Sequence, residues 1–123
     1  MADPYPKERQ LARGLKRPSR IRATPDEWLT LRRQKLGTCR AAGLGRCEGR
    51  SELHHIVPRS WGGDDVADNL APLCSLHHRR VTEHYKDTLA RLAESLTDGE
   101  YAYCIDKLGE GALERLFGAG VRS

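Results

Sequence analysis

The sequence of 123 residues has no long apolar run and few aromatic residues, with two Trp, four Tyr and one Phe. No segment approaches the roughly 20 apolar residues that a membrane-spanning helix needs, so we predict no membrane anchor. The N-terminal residues carry charge and prolines instead of an apolar stretch, so no export signal is predicted. We therefore expect a cytoplasmic protein whose four cysteines are thiols or metal ligands, because disulfides are rare in that compartment.

A chain of this size has room for only a thin core. Its length predicts one domain, and 38% of its residues are hydrophobic. Small domains bury too little apolar surface to be very stable alone, and many gain stability from a bound metal or a partner. A structural metal site is therefore a reasonable expectation before any motif is considered.

Positive charge is concentrated at the N-terminus. Residues 1–25 contain seven basic and two acidic side chains, whereas the other residues contain fourteen basic and fifteen acidic ones. This asymmetry predicts that residues 1–23 are a flexible basic arm that contacts nucleic acid or another anionic surface. A solvated, partly disordered tail is the alternative. The candidate DNA contacts in the arm are Arg13, Lys16, Arg17, Arg20 and Arg22.

Capping residues and hydrophobic periodicity predict an α+β fold that is mostly helical. Thr24 and Thr97 are each followed three residues later by a glutamate, which is the capping-box pattern of a helix start. The predicted elements are a helix from Thr24 to Leu36, strands at 51–57 and 69–73, and helices from Ser75, at 85–96, 101–108 and 111–117. We predict that residues 24–123 form a single domain with its core at 37–84 and C-terminal helices at 85–118.

Cysteines and histidines cluster in the middle of the chain. All five histidines lie between His54 and His84, a window of 31 residues. Cys39 and Cys47 lie on one loop, and Cys74 and His77 lie on another with two residues between them. Two pairs of such ligands form a closed tetrahedral site, which predicts a structural zinc knuckle. Free thiols and an exposed histidine are the alternative, and Cys104 is expected to be a buried, inert thiol.

Three segments of the chain form a further ordered pattern, and two of them contain histidines. They are residues 53–63 (LHHIVPRSWGG), 68–74 (DNLAPLC) and 77–78 (HH). Together with Cys39 this pattern, spread over residues 39–82, resembles the signature of HNH endonucleases. The resemblance implies a ββα-metal core, also called a His-Me finger, flanked here by helices. Outside the core, the chain resembles small phage-encoded HNH proteins more weakly.

The resemblance also implies a role for each matching residue. His54 and His78 would bind one catalytic divalent ion (Mg, Mn, Ni or Zn), His55 would be the general base, and Asn69 would orient that base. The chain departs from the family at His77, where a cysteine is usual, and at Val81, where a lysine is often found. In the absence of that lysine, one contact to the DNA phosphate is either missing or supplied by Arg79 or Arg80.

Elementary geometry agrees with this division of roles. Successive side chains of a strand point to opposite faces, so His54 can bind an ion while His55 faces the attacking water. Two protein ligands leave coordination positions open for water and a phosphate oxygen, as a catalytic site requires. An imidazole titrates near neutral pH, which suits His55 to proton transfer. Taken singly, each histidine is more simply interpreted as a packing or surface residue; the pattern as a whole favours the nuclease.

The sequence therefore predicts a metal-dependent DNA endonuclease or nickase that leaves 5′-phosphate and 3′-hydroxyl ends. Double-stranded DNA is the predicted partner, with Arg59, Arg79 and Arg80 as contacts beside the arm. The phage resemblance further predicts work beside a terminase large subunit, in DNA packaging or processing within the host cytoplasm. The alternative is a zinc-knuckle module that binds DNA or assists packaging without catalysis.

Overall fold

The computed structural model describes residues 21–118, which form a mixed α+β fold dominated by helices. In chain order the regular elements are α1 (Pro25–Lys35), β1 (Ser51–His55), β2 (Leu70–Cys74), α2 (Ser75–Thr82), α3 (Lys86–Ser95), α4 (Asp98–Leu108) and α5 (Ala112–Phe117). Short 3₁₀ turns occur at Ala42–Leu44, Arg59–Trp61 and Ala67–Asn69. The predicted class, mostly helical α+β with a ββα core, is confirmed. No helix in this part of the chain is both long and apolar enough to cross a membrane.

The ββα unit is the centre of the fold. Strands β1 and β2 pair antiparallel, with Ser51 opposite Cys74 and His55 opposite Leu70. Every residue of β2 is buried, and α2 begins immediately after it with Cys74 as its N-cap. The first strand is two residues shorter than predicted, because the Val57 N–H donates to the Asn69 side chain instead of to a strand backbone. The hairpin therefore ends at His55, which leaves this histidine beside the long connecting loop.

The two predicted capping boxes are confirmed. Thr24 caps α1 and exchanges hydrogen bonds with Glu27, and Thr97 caps α4 and exchanges them with Glu100. Both arrangements satisfy N–H groups that the first turn of a helix leaves without partners. Helix α1 buries none of its residues completely, so it lies on the surface of the domain.

The core lies between the hairpin and the C-terminal helices. Its fully buried side chains come from the segment just after β1, from β2 and from α3, α4 and α5. They include Val57, Leu73, Leu92, Cys104 and Leu113. Each buried aliphatic side chain contributes about 1.5–3 kcal/mol relative to an exposed one. As predicted, Cys104 is completely buried.

A buried carboxylate links three parts of the fold. The side chain of Glu100 is fully buried, and it accepts hydrogen bonds from Lys35 at the end of α1, from Arg40 and from the Thr97 backbone. Burial alone raises the pKa of Glu100, but these hydrogen bonds outweigh it and lower the pKa to about 2. Glu100 therefore stays ionised and ties α4 to α1 and to the loop that contains Cys39.

Replacing Glu100 with glutamine is expected to cost about 3 kcal/mol of unfolding free energy, because two cations lose their buried counter-charge. The wild-type contribution is present above the ordinary carboxyl pKa and is lost as the pH falls toward 2, since the folded-state pKa is the lower one. Urea unfolding at neutral and acidic pH measures both effects. Glu94→Gln breaks only the exposed pair with Arg91 and should change stability little. Equal stability of both variants would contradict this account of Glu100.

Candidate metal centres and catalytic site

The four predicted zinc ligands lie together. Cys39 and Cys47 come from the loop between α1 and β1, and Cys74 and His77 come from the junction of β2 with α2. Their donor atoms all lie within 4.8 Å of one another. The His77 Nδ1 atom lies 3.4 Å from Cys39 Sγ, 3.8 Å from Cys47 Sγ and 3.3 Å from Cys74 Sγ. All four cysteines of the chain are free thiols.

This geometry fits a tetrahedral zinc ion. Zinc bonds of about 2.1 Å to nitrogen and 2.3 Å to sulfur place these two ligand atoms about 3.6 Å apart in a tetrahedron. The three observed separations bracket that value. Burial alone raises the pKa of the Cys74 thiol, but N–H bonds from the backbone of His77 and Glu48 outweigh it and lower the pKa. A thiol that ionises readily is suited to metal binding.

One polar atom of the knuckle has no partner within the described part of the chain. The His77 side chain is fully buried, and with Nδ1 directed at the thiols, its Nε2 atom makes no hydrogen bond. A histidine that binds zinc through Nδ1 carries its proton on Nε2, and this N–H is normally given an acceptor. The knuckle therefore includes an N–H group whose burial is uncompensated.

The second predicted pair, His54 on β1 and His78 on α2, lies together. The two rings lie edge to face with their centroids 5.2 Å apart. An ion bound about 2.1 Å from one nitrogen of each ring would hold the ring centres about 5 Å apart. Burial, with smaller effects of His78 and His55, lowers the pKa of His54 to about 3. The ring is therefore neutral at physiological pH, which is the form that binds a metal.

Glu52 orients His78. One of its carboxylate oxygens lies 2.6 Å from His78 Nδ1, and the hydrogen bonds from His78 and Ser75 lower the pKa of Glu52. An ionised carboxylate can only accept, so His78 Nδ1 carries a proton and Nε2 is the nitrogen available to a metal ion. Sequence reasoning missed this residue. The signal was available, because Glu52 lies two residues before His54 and therefore on the same face of β1.

His55 occupies the other face of the strand. Its Nε2 atom lies 2.8 Å from the Asp65 carboxylate, and its ring packs edge to face against Trp28 at 5.9 Å between centroids. Burial lowers the pKa of His55, and the hydrogen bond with Asp65 opposes that effect. Because the carboxylate accepts the Nε2 proton, the lone pair of the ring is on Nδ1.

Asn69 does not contact His55, contrary to the prediction. Its amide donates to the Val57 and Asp64 carbonyls, and its oxygen accepts from the Val57 N–H. Both amide hydrogens are thereby used, so none remains for the imidazole. A Cβ atom at Gly63 would lie 1.8 Å from the Val57 oxygen, so the loop requires glycine there. Asn69 thus fixes the backbone at the end of β1, and Asp65 makes the direct contact with His55.

Two acidic residues of the connecting loop are buried. Asp64 and Asp65 are each only 4% exposed. Asp64 accepts hydrogen bonds from Tyr103 and Lys107 on α4 and from the Ile21 N–H. These partners come from segments far away in sequence, so local composition did not indicate the burial. Asp68 is exposed, and it too lies near α4, beside Gly99.

The predicted DNA contacts differ in their surroundings. Arg59 bonds to Asp65 and lies 5.9 Å above the Trp28 ring, Arg79 is exposed, and Arg80 lies 5.3 Å above the Tyr85 ring. Arg22 donates to the Gly63 carbonyl. The remaining predicted contacts lie outside the described residues, and they are Arg13, Lys16, Arg17 and Arg20.

An open cleft brings the catalytic candidates together. Its volume is about 660 Å³, and its wall includes His54, His55 and His78 among mostly apolar side chains. The constellation consists of His54 on β1, which contacts His78 on α2, of the adjacent residue His55, and of the nearby knuckle. Residues 37–84, which contain all of it, match the family model described as HNH endonuclease. This segment is an HNH endonuclease domain.

One curated relative carries the same type of segment. The type IV methyl-directed restriction enzyme EcoKMcrA of Escherichia coli (strain K12) is 42% identical over 45 residues, which is 37% of this chain. The match covers only 16% of the length of that enzyme. No solved structure shows significant similarity to the chain. The likeness to this relative is therefore confined to a short segment of both chains.

Proposed function

We propose that the protein is a metal-dependent DNA endonuclease or nickase that hydrolyses phosphodiester bonds to 5′-phosphate and 3′-hydroxyl ends. The proposal rests on one observation: His54 and His78 face each other in the cleft that also contains His55. The candidate metal ligand His78 is hydrogen-bonded to Glu52, whereas the candidate base His55 is hydrogen-bonded to Asp65. A module that only binds DNA would not need two histidines placed to hold an ion and a third placed to accept a proton.

His54 and His78 are the proposed ligands of the catalytic ion. Each ring offers one nitrogen to the ion, since burial keeps His54 uncharged and the Glu52 carboxylate occupies His78 Nδ1, which leaves Nε2. A divalent ion held there would stabilise the negative charge that develops on the phosphate and on the leaving 3′ oxygen. Glu52 keeps the His78 ring in place, as hydrogen-bond partners of metal-binding histidines commonly do.

His55 is the proposed general base. Its Nδ1 lone pair would accept a proton from the water that attacks the phosphorus, while its Nε2–H stays bonded to Asp65. Asn69 contributes indirectly, because it holds the backbone at Val57, two residues after His55. Arg59, Arg79 and Arg80, together with the basic arm, are the proposed contacts to DNA phosphates.

We further propose double-stranded DNA as the substrate and the structural ion of the knuckle as zinc. The restriction enzyme that shares the HNH segment supports a DNA substrate. The resemblance of the flanking segments to small phage-encoded proteins supports a role in phage DNA packaging or processing, beside a terminase large subunit in the host cytoplasm. The small interface that a single domain offers predicts little sequence preference when the protein acts alone.

Plasmid cleavage tests the proposal. Zinc-loaded protein incubated with supercoiled plasmid and Mg²⁺, Mn²⁺ or Ni²⁺ is expected to produce nicked or linear DNA with at least one ion. DNA ligase should reseal the nicks, because it requires a 5′-phosphate and a 3′-hydroxyl. If folded, zinc-loaded protein cuts with none of the ions yet still retards DNA in a gel, the non-catalytic binding module is the correct function.

A further inference from the structure

Asp65 is the meeting point of three separate segments of the chain. Its side chain is 1% exposed and accepts from His55 Nε2 at 2.8 Å, from Arg59 Nη2 at 3.1 Å and from the Ala23 N–H at 2.9 Å. Burial alone raises the pKa of Asp65, but these hydrogen bonds outweigh it and the pKa is lowered. The carboxylate is therefore an acceptor only, and its position determines which nitrogen of His55 carries the proton.

The segment Ile21–Ala23, at the base of the predicted arm, is bonded along its length to the loop that contains Asp65. The Asp65 N–H donates to the Ile21 carbonyl at 2.8 Å, and the Ile21 N–H donates to the Asp64 carboxylate at 2.7 Å. The Arg22 guanidinium donates to the Gly63 carbonyl at 2.7 Å. Because these contacts involve backbone groups of both segments, residues 21–23 hold the loop at residues 63–65 in place, and we call them the strap. The flexible arm was predicted to extend to residue 23, but these last three residues are part of the folded site.

We propose that Asp65 is the positioning residue of the base His55 and that the strap Ile21–Ala23 holds Asp65 in place for this task. The inference rests on the proposed nuclease function and assigns part of its machinery to a segment outside the HNH domain. It also separates two properties of the N-terminus. The basic residues before Ile21 would govern affinity for DNA, whereas the strap would govern turnover.

The chemistry of proton transfer gives the reason. When water adds to phosphorus, its proton passes to His55 Nδ1, and the ring becomes a cation with both nitrogens protonated. The Asp65 carboxylate, already bonded to Nε2–H, stabilises that cation and stops the ring from rotating. An uncharged amide at this place could either accept from Nε2–H or donate to Nε2, so the neutral ring would divide its proton between the two nitrogens, and part of the population would have no lone pair facing the water.

Asp65→Asn is the direct test, because asparagine has the same shape and lacks the charge. We expect kcat for nicking to fall by roughly 10- to 100-fold, while KM and the Kd for DNA stay within about twofold of wild type. Nitrogen NMR of the His55 ring should show the proton on Nε2 in the wild type and a mixture of tautomers in the variant. Asp26→Asn makes the same change at an exposed position of α1 and should leave all four readouts unchanged.

Ala23→Pro tests the strap if Asp65→Asn fails to fold. It removes the N–H that bonds to Asp65 and leaves the carboxylate and His55 intact, so we expect a smaller fall of kcat with an unchanged Kd. If folded Asp65→Asn keeps the wild-type kcat and the wild-type tautomer of His55, the inference is wrong and the nuclease proposal still stands. If Asp65→Asn does not fold, the same result in folded Ala23→Pro leads to the same conclusion. If the wild-type protein cuts no DNA, both the inference about Asp65 and the nuclease proposal are wrong.

Discussion

Replacing Cys74 with serine is expected to unfold the HNH domain. The variant should bind no zinc under conditions where the wild type retains one ion per chain, and it should lose its cooperative thermal transition. Metal analysis and circular dichroism measure the two effects. Treatment of the wild type with a strong chelator should reproduce both, and adding zinc back should reverse them only in the wild type.

The size of the effect follows from the smallness of the core. Structural zinc contributes an apparent binding free energy of about 10–16 kcal/mol in small zinc domains, whereas a whole domain is typically stable by about 5–15 kcal/mol. Serine is chosen because it is a good N-cap residue. Cys74 caps α2 by accepting the His77 N–H, and serine can do the same, so the substitution removes the metal ligand and keeps the cap.

Cys104→Ala is the matched control. This thiol is also fully buried, and burial raises its pKa to about 11, but it lies outside the ligand cluster. We expect a loss of about 1 kcal/mol with the zinc content unchanged. If Cys74→Ser behaved like Cys104→Ala, the four residues of the knuckle would be a packing arrangement and not a zinc site.

Replacing His55 with alanine is expected to lower the rate of plasmid cleavage by roughly 10²–10⁴-fold, the usual contribution of a general base. The melting temperature and zinc content should change little, because His55 is partly exposed and lies on the face of β1 away from His54. Affinity for DNA in the absence of cleavage should also persist. A comparable loss of DNA binding would indicate that His55 holds substrate and does not move a proton.

His84→Asn provides the control for a histidine of the same cleft. His84 is exposed, lies in the cleft wall and has a φ of 63°, a conformation that asparagine tolerates better than most residues. We expect cleavage by this variant within a few fold of wild type. An equally large loss in both variants would mean that the assignment of the base to His55 is wrong.

Local signals explain what the sequence predicted well. The two capping boxes depend on residues three positions apart, and both form as expected. The cluster of candidate zinc ligands was predictable because Cys74 and His77 have the spacing of a strand-to-helix junction, where both side chains reach the same point. The hairpin was predicted within two residues at either end, because turn residues and Pro58 mark where the strands stop.

Interactions between distant segments explain what the sequence did not predict. Asp64 and Asp65 look like solvated loop residues until Tyr103, Lys107 and Ile21 are brought to them by the fold. The same holds for Glu100, whose partners lie 60 and 65 positions away. Asn69 was assigned to His55 by resemblance alone, and only the three-dimensional arrangement shows that its amide is consumed by backbone groups.

The buried carboxylates Asp64 and Glu100 also determine how much of the chain must be transferred to another protein if the domain is to keep its ion pairs. Asp64 and Arg40 lie within the segment that matches the HNH family, yet each is neutralised by a group outside it: Lys107 for Asp64 and Glu100 for Arg40. A chimera that grafts only residues 37–84 onto another scaffold would leave Asp64 and Arg40 without these ion-pair partners. The segment that keeps these ion pairs is therefore longer than residues 37–84, which match the family, and it must include the strap at residues 21–23, α1 and α4.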